Sequence, residues 1–182
     1  ADARVRGMRL VVVDPMCNFA SAKADEWVPI IPGTDATLAL AMVNVILNHL
    51  KIWDADFLAR RTNAPYLTGP DGKYVRDSES GHPLIWDPDR HQAARYDDPR
   101  VAEPVLEGDY QVEGVPARPA FALLREHVRQ FTPEWAEKIT HLPASTIERL
   151  AREFADQARI GSTIKIDGHT LPYRPVAAVY FR

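Results

Sequence analysis

The chain holds a single cysteine, Cys17, among 182 residues. That excludes an internal disulfide and any cysteine-ligated cluster confined to this chain. Charge of one sign is also scarce in excess: the formal net charge is −3, so nothing points to nucleic acid or to a polybasic membrane surface. No G-x-G-x-x-G follows any strand-like run, which counts against a conventional Rossmann dehydrogenase. No apolar run is long enough to span a bilayer, since the longest, after Asp35, is interrupted by Asn44, Asn48 and His49. The opening stretch, Ala1 to Arg9, is charged and does not read as a secretory leader. What remains is an ordinary composition, 46% apolar, sufficient for one α/β domain with a sizeable core.

The most informative stretch runs from Leu10 to Leu50. Leu10 to Val13 is a short apolar run without polar alternation, the pattern of a strand buried on both faces of a parallel sheet. Pro15 cannot continue a ladder, so the strand ends with Asp14 at its carboxyl edge, where open α/β sheets bind ligands. A second apolar run, Trp27 to Ile31, stops at Pro32-Gly33. Thr34 or Asp35 then caps a helix from Ala36 to about Leu50, apolar almost all round and expected to be largely buried. Gly33 supplies backbone angles closed to other residues. A helix N-terminus and a strand C-terminus, each bearing a carboxylate (Asp35 and Asp14), suit a ligand with N–H or O–H donors such as guanine or ribose.

Elsewhere the chain reads more plainly. Ala1 to Met8 is the end of a helix or a linker, stopped by Gly7. Asp54 opens a short helix with Phe57 and Leu58 inward and Arg60-Arg61 at its end. Residues 66–117 form an irregular insertion carrying hairpin signals at Gly69 to Gly72 and Val112 to Val115. His82 and His91 within it read as surface loop residues. Three helices follow: one from about Pro119 with Phe121, Leu124 and Val128 inward; one capped by Thr132 with Trp135 and Ile139 inward; and one from Pro143 that buries Ile147, Leu150, Ala151 and Phe154. Ser162 to Asp167 reads as another strand, and Val176 to Phe181 as a further apolar element.

The pattern VVVDP, the dipeptide Ala24-Asp25, a hydrophobic strand, PGTD and an Ala/Leu-rich helix together resemble the molybdopterin oxidoreductases of the dimethyl sulfoxide reductase superfamily. The phrase TPEWAEKITHLPASTIERLAREFA, residues 132–155, carries the resemblance further along. Members run several times this length, so the resemblance implies a fragment: one cofactor-binding α/β domain, 1–182, with an open, largely parallel, Rossmann-like sheet, flanking helices and the insertion at 66–117. It implies a bis(molybdopterin guanine dinucleotide) cofactor with molybdenum or tungsten. A 4Fe-4S cluster would lie outside this chain, because the family's iron-sulfur motif is not in it. The implied partners are the remaining domains and an iron-sulfur electron-transfer subunit.

Carried over position by position, Asp14, Pro15, Met16, Cys17 and Asn18 resemble a segment lining one guanine dinucleotide. Met16 stands where many members have Arg, which removes a phosphate contact. Gly33, Thr34 and Asp35 resemble a second contact segment, with Asp35 facing guanine N–H groups. Cys17 is not read as a metal ligand, since that ligand belongs to an upstream segment in the family, and no catalytic residue is assigned in this chain. The resemblance leans toward the tetrathionate, thiosulfate and polysulfide reductase branch. It also admits a non-redox hydratase with the same cofactor, and the rival class is a non-catalytic α/β interaction domain.

Overall fold

A computed structural model describes residues 2–179. In chain order the elements are α1 (Asp2–Val5), β1 (Val11–Val13), a 3-10 turn (Ser21–Lys23), β2 (Glu26–Val28), α2 (Asp35–Asn44), a π-helical extension (Val45–Leu50), α3 (Ala55–Arg61), β3 (Leu67–Thr68), β4 (Leu84–Asp87), β5 (Gln92–Arg95), β6 (Tyr110–Val112), β7 (Val115–Pro119), α4 (Ala120–Val128), α5 (Pro133–Thr140), α6 (Ala144–Gln157), β8 (Thr163–Ile166) and β9 (His169–Pro172). They fall into two compact units. One holds the residues up to Lys51, Val128–Arg159 and the tail from Arg174; the other holds Ile52–His127 and Ile160–Tyr173. No single helix among the described residues is long and apolar enough to cross a membrane.

In the first unit, α1 ends in a Schellman turn. Gly7 takes φ +91°, its N–H donates to Arg4 O and the Met8 N–H donates to Ala3 O. The chain then enters β1, which pairs in parallel with β2 in the register Val11 with Glu26, Val12 with Trp27 and Val13 with Val28. Asp25 fixes the start of this pair: its carboxylate accepts the Leu10 N–H at 2.7 Å and an Arg4 guanidinium at 2.8 Å. These bonds, the Leu10 amide first, hold the Asp25 carboxyl below its usual range.

One face of the pair packs on the helices. Val28 and Ile30 join Leu38 and Ala41 of α2, Ala136 of α5, Leu142, and Ile147 and Leu150 of α6 in one core, with Val11, Met42 and Trp135 against it. Arg149 of α6 adds a polar seam. It bonds Glu26 of β2 and Glu153, and Arg9 bonds the same two carboxylates, so two cations and two anions alternate around the seam. At the far side, Asn44 is 1% exposed; its side-chain N–H donates to Phe131 O at 3.1 Å and its oxygen accepts from Asn48 at 2.9 Å.

Several sequence expectations are corrected here. β1 is not buried on both faces: Trp27, beside Val12 on the face away from the helices, is 39% exposed, and Val13 at the end of the strand is 37% exposed. The helix after Gly33 is half-buried rather than largely buried: Leu38, Ala41, Asn44 and Val45 are inside, while Leu40, Val43, Ile46 and Leu47 are partly open. An all-round apolar pattern records how much of a helix can be covered, and here α2 packs chiefly against α5 and α6. In α5 the inward residues are Ala136 and Thr140, with Ile139 37% exposed.

The second unit is built from hairpins. β3, β7 and β6 form an antiparallel sheet in that order, and β4 pairs with β5. Leu67, Val112 and Ala117 make its core, with Val75, Leu84, Trp86, Ala93 and Tyr110 packed around them. Trp86 and Tyr110 stack with ring centroids 4.4 Å apart. The hairpins read at Gly69 to Gly72 and Val112 to Val115 are both present. So is α3, capped by Asp54, although its Phe57 points outward at 54% exposure. In α4, Phe121 is buried and Leu124 is 46% exposed rather than inward.

The open, largely parallel sheet expected from the sequence is not what the described residues build. Only β1 and β2 pair in parallel; every other pairing is antiparallel, giving a mixed α/β structure of small sheets. The reason at β8 is local. Asp167 and Gly168 both take positive φ, +48° and +80°, the type I′ geometry that folds β8 back on β9 at once. Residues 176–179 adopt no regular structure, and the rest of that expected apolar element lies outside the described residues.

Candidate functional site

The two segments singled out in the sequence follow the parallel strands β1 and β2. β1 and β2 run the same way, so the loop after Val13 and the loop after Val28 leave from adjacent carboxyl ends. Both strands run into proline, Pro15 and Pro29, which ends the ladder there. The last contact is the Asp14 N–H donating to Val28 O at 3.2 Å.

The first loop is ordered by its own side chains. Asp14 Oδ1 accepts the Met16 N–H at 2.8 Å, and Asp14 Oδ2 accepts from Asn18 Nδ2 at 2.6 Å. Asn18 Oδ1 in turn accepts the N–H groups of Ala20 at 2.8 Å and Ser21 at 3.1 Å. These are Asx-type bonds that replace the lost ladder with a tight turn. Asp14 therefore faces its own loop more than a ligand. Pro15, Met16, Cys17 and Asn18 are all exposed at the tip, Met16 by 72%, and Cys17 is a free thiol.

The second loop turns on Gly33. Pro32 and Gly33 are the central residues of a turn closed by the Thr34 N–H donating to Ile31 O at 3.2 Å, and Gly33 at φ +79° fills the position that needs a positive angle. Thr34 precedes α2 but does not cap it: its hydroxyl donates back to Ile31 O at 2.7 Å. The first turn of α2 is thus left without a side-chain cap, with the exposed carboxylate of Asp35 beside it. A positive helix end, an exposed carboxylate and open space where a Gly33 Cβ would project form an edge that can present both donors and an acceptor.

Sequence reasoning missed Trp27. Its indole N–H donates to Asp14 O at 2.8 Å, joining the middle of β2 to the root of the first loop. The available signal was its pairing with Val12 on the face opposite Val28, which only the strand register reveals.

Loops at the carboxyl ends of paired parallel strands are where open α/β sheets in general bind ligands. Comparison with known proteins narrows this. The chain is 42% identical over 169 residues to a subunit of the sulfite dehydrogenase from Allochromatium vinosum, covering 85% of this chain and 17% of that protein. It is 30% identical over 197 residues to the alpha subunit of perchlorate reductase from Dechloromonas aromatica, covering 85% and 21%. It is 30% identical over 158 residues to dimethyl sulfoxide reductase DmsA of Haemophilus influenzae, covering 85% and 14%. Among solved structures, acetylene hydratase from Pelobacter acetylenicus shares the fold with a TM-score of 0.50 and 23% identity, covering 87% of this chain and 14% of that one. No protein-family model matches the chain. The chain belongs to the dimethyl sulfoxide reductase family of molybdopterin enzymes. It spans about a fifth or less of the length of these relatives.

Proposed function

We propose that this chain forms part of a molybdopterin oxidoreductase and supplies one edge of the site for a guanine dinucleotide of its bis(molybdopterin guanine dinucleotide) cofactor. The observation that supports the reading is the parallel pairing of β1 and β2, after which Asp14–Asn18 and, five residues past Val28, Gly33–Asp35 follow. Asp35 accepts from the guanine N–H groups, and the uncapped first turn of α2 faces the phosphates or ribose. Asp14, Pro15, Met16, Cys17 and Asn18 line the group through their backbone and exposed side chains. When bound, the cofactor supplies the metal-centred electron transfer, and the residues of this chain bind and orient its nucleotide end.

In this reading the parallel pair β1–β2 is the start of a larger open sheet completed by further chain, with residues 1–182 forming one domain and 66–117 its insertion. The similar proteins named above are a sulfite dehydrogenase, a perchlorate reductase and a dimethyl sulfoxide reductase. The whole protein accordingly oxidises a small sulfur compound, passing electrons to an iron-sulfur partner protein, or reduces a sulfur compound or oxyanion with electrons received from one.

Isothermal titration of the 182-residue chain with GMP and GDP, against AMP, tests the nucleotide edge. Guanine-selective binding, weakened by about tenfold or more in Asp35→Ala, is the expected result for loss of a charge-assisted contact. Equal affinity for AMP, or an Asp35→Ala variant that binds GDP as well as the parent, overturns it.

A further inference from the structure

We propose that Trp27 is the positioning residue of this edge, holding the root of the Asp14–Asn18 loop to the sheet through the indole N–H. The proposal rests on the nucleotide reading above for its consequence, but not for its geometry. Both backbone groups of Asp14 are held by β2, the N–H by Val28 O at 3.2 Å and the carbonyl by Trp27 Nε1 at 2.8 Å. The side-chain bonds within the loop are local. Asp14 holds Met16 and Asn18, and Asn18 holds Ala20 and Ser21, so these fix the turn's shape without fixing it to the sheet.

The need for a side chain at this point follows from the two prolines. Pro15 and Pro29 offer no N–H, so the parallel ladder stops just where the loop begins. The Asp14 carbonyl is satisfied instead by an indole donor from the strand's other face. A tryptophan is well suited to this, because it pairs a large apolar ring with one N–H donor at its rim. Trp27 remains 39% exposed, so its role is not that of a core residue.

The test separates the donor from the ring. Trp27→Phe keeps an aromatic ring on β2 and removes the N–H; benzothienylalanine at position 27 keeps the bicyclic shape and removes only the donor. Backbone amide exchange is read at Asp14, whose N–H donates to Val28 O across to β2, and GDP affinity by titration, in the same samples. Both variants are expected to exchange faster at this amide by about threefold to tenfold, and to bind GDP more weakly by a similar factor. Parent-like exchange in the benzothienylalanine protein overturns the positioning role, whatever the nucleotide result. A parent chain that binds no GDP while both variants lose protection overturns the nucleotide reading and leaves the positioning of the loop by Trp27 supported.

Discussion

Asn18 donates to Asp14 Oδ2 at 2.6 Å while its own side-chain oxygen accepts from Ala20 and Ser21, so each group in this turn has one orientation available to it. Asp14→Asn places an amide NH2 against one of two donors, the Asn18 NH2 or the Met16 N–H, whichever way the new amide is turned. Turning Asn18 around to relieve the first contact would forfeit its bonds to Ala20 and Ser21. We expect Asp14→Asn to destabilise the fold by about 1 kcal/mol, the scale of one lost hydrogen bond. A shift in the urea midpoint with an unchanged slope checks it, and a midpoint equal to the parent's would show that the turn carries no stability.

Thr34 and Thr132 both precede helices and look alike in sequence, yet only one is a cap. The Thr132 hydroxyl accepts the Trp135 N–H at 3.2 Å, with Pro133 in the first turn, whereas the Thr34 hydroxyl donates to Ile31 O. Thr132→Ala should cost about 1 kcal/mol, as loss of a cap does. Thr34→Ala should cost clearly less, because the helix loses no acceptor. Thermal unfolding of the two variants side by side makes the comparison, and equal losses would contradict it.

That contrast marks what could be read from the chain. Turn and cap chemistry is local, so Asp54, Thr132-Pro133, Gly7 and the hairpin at Val112 to Val115 were legible. Pairing is not local. The Val11–Val13 run promised a two-sided parallel sheet, but covering its second face needs partners that the run itself does not specify. Asp167-Gly168 was visible as a turn, yet its consequence, pairing β8 with β9 instead of with β1 and β2, depends on both residues taking positive φ. Asp14 was legible as a residue at a strand end. Its engagement by Met16, Asn18 and Trp27 was not, because strand alternation alone does not reveal where an indole N–H lands.

The β6–β7 turn gives a sharp backbone test. Glu113 and Gly114 take φ +51° and +82°, the type I′ pair, with Val112 and Val115 facing each other across it. Glutamate is a poor occupant of the first position and asparagine a good one. Glu113→Asn should therefore stabilise by a few tenths to about 1 kcal/mol, while Gly114→Ala should destabilise by about 1 kcal/mol or more through strain. The space around Gly114 is open, so no steric contact competes with that backbone effect. Denaturant titration of both variants would reveal opposite signs; a neutral Gly114→Ala would show that the turn relaxes.

The seam of Arg9, Glu26, Arg149 and Glu153 makes stability depend on acid. Arg9 first, and Arg149 with it, hold the Glu153 carboxyl below its ordinary value, against partial desolvation that works the other way. Glu26 and then Glu153 push Arg149 up. A carboxylate whose folded value is depressed stabilises the fold fully above its unfolded value, and that contribution disappears as pH falls through the folded one. Arg149 stays charged throughout this range, so Glu153 sets the window: from about pH 4.3, the ordinary glutamate value, downward. The pairs are partly exposed, and the effect is correspondingly small, about 1 kcal/mol or less. Glu153→Gln should be less stable than the parent at pH 7, and the gap should narrow as pH falls below about 4.3. Urea midpoints of both proteins at pH 7, 5 and 3 read this directly. A gap as wide at pH 3 as at pH 7 would mean that Glu153 contributes by packing rather than by charge.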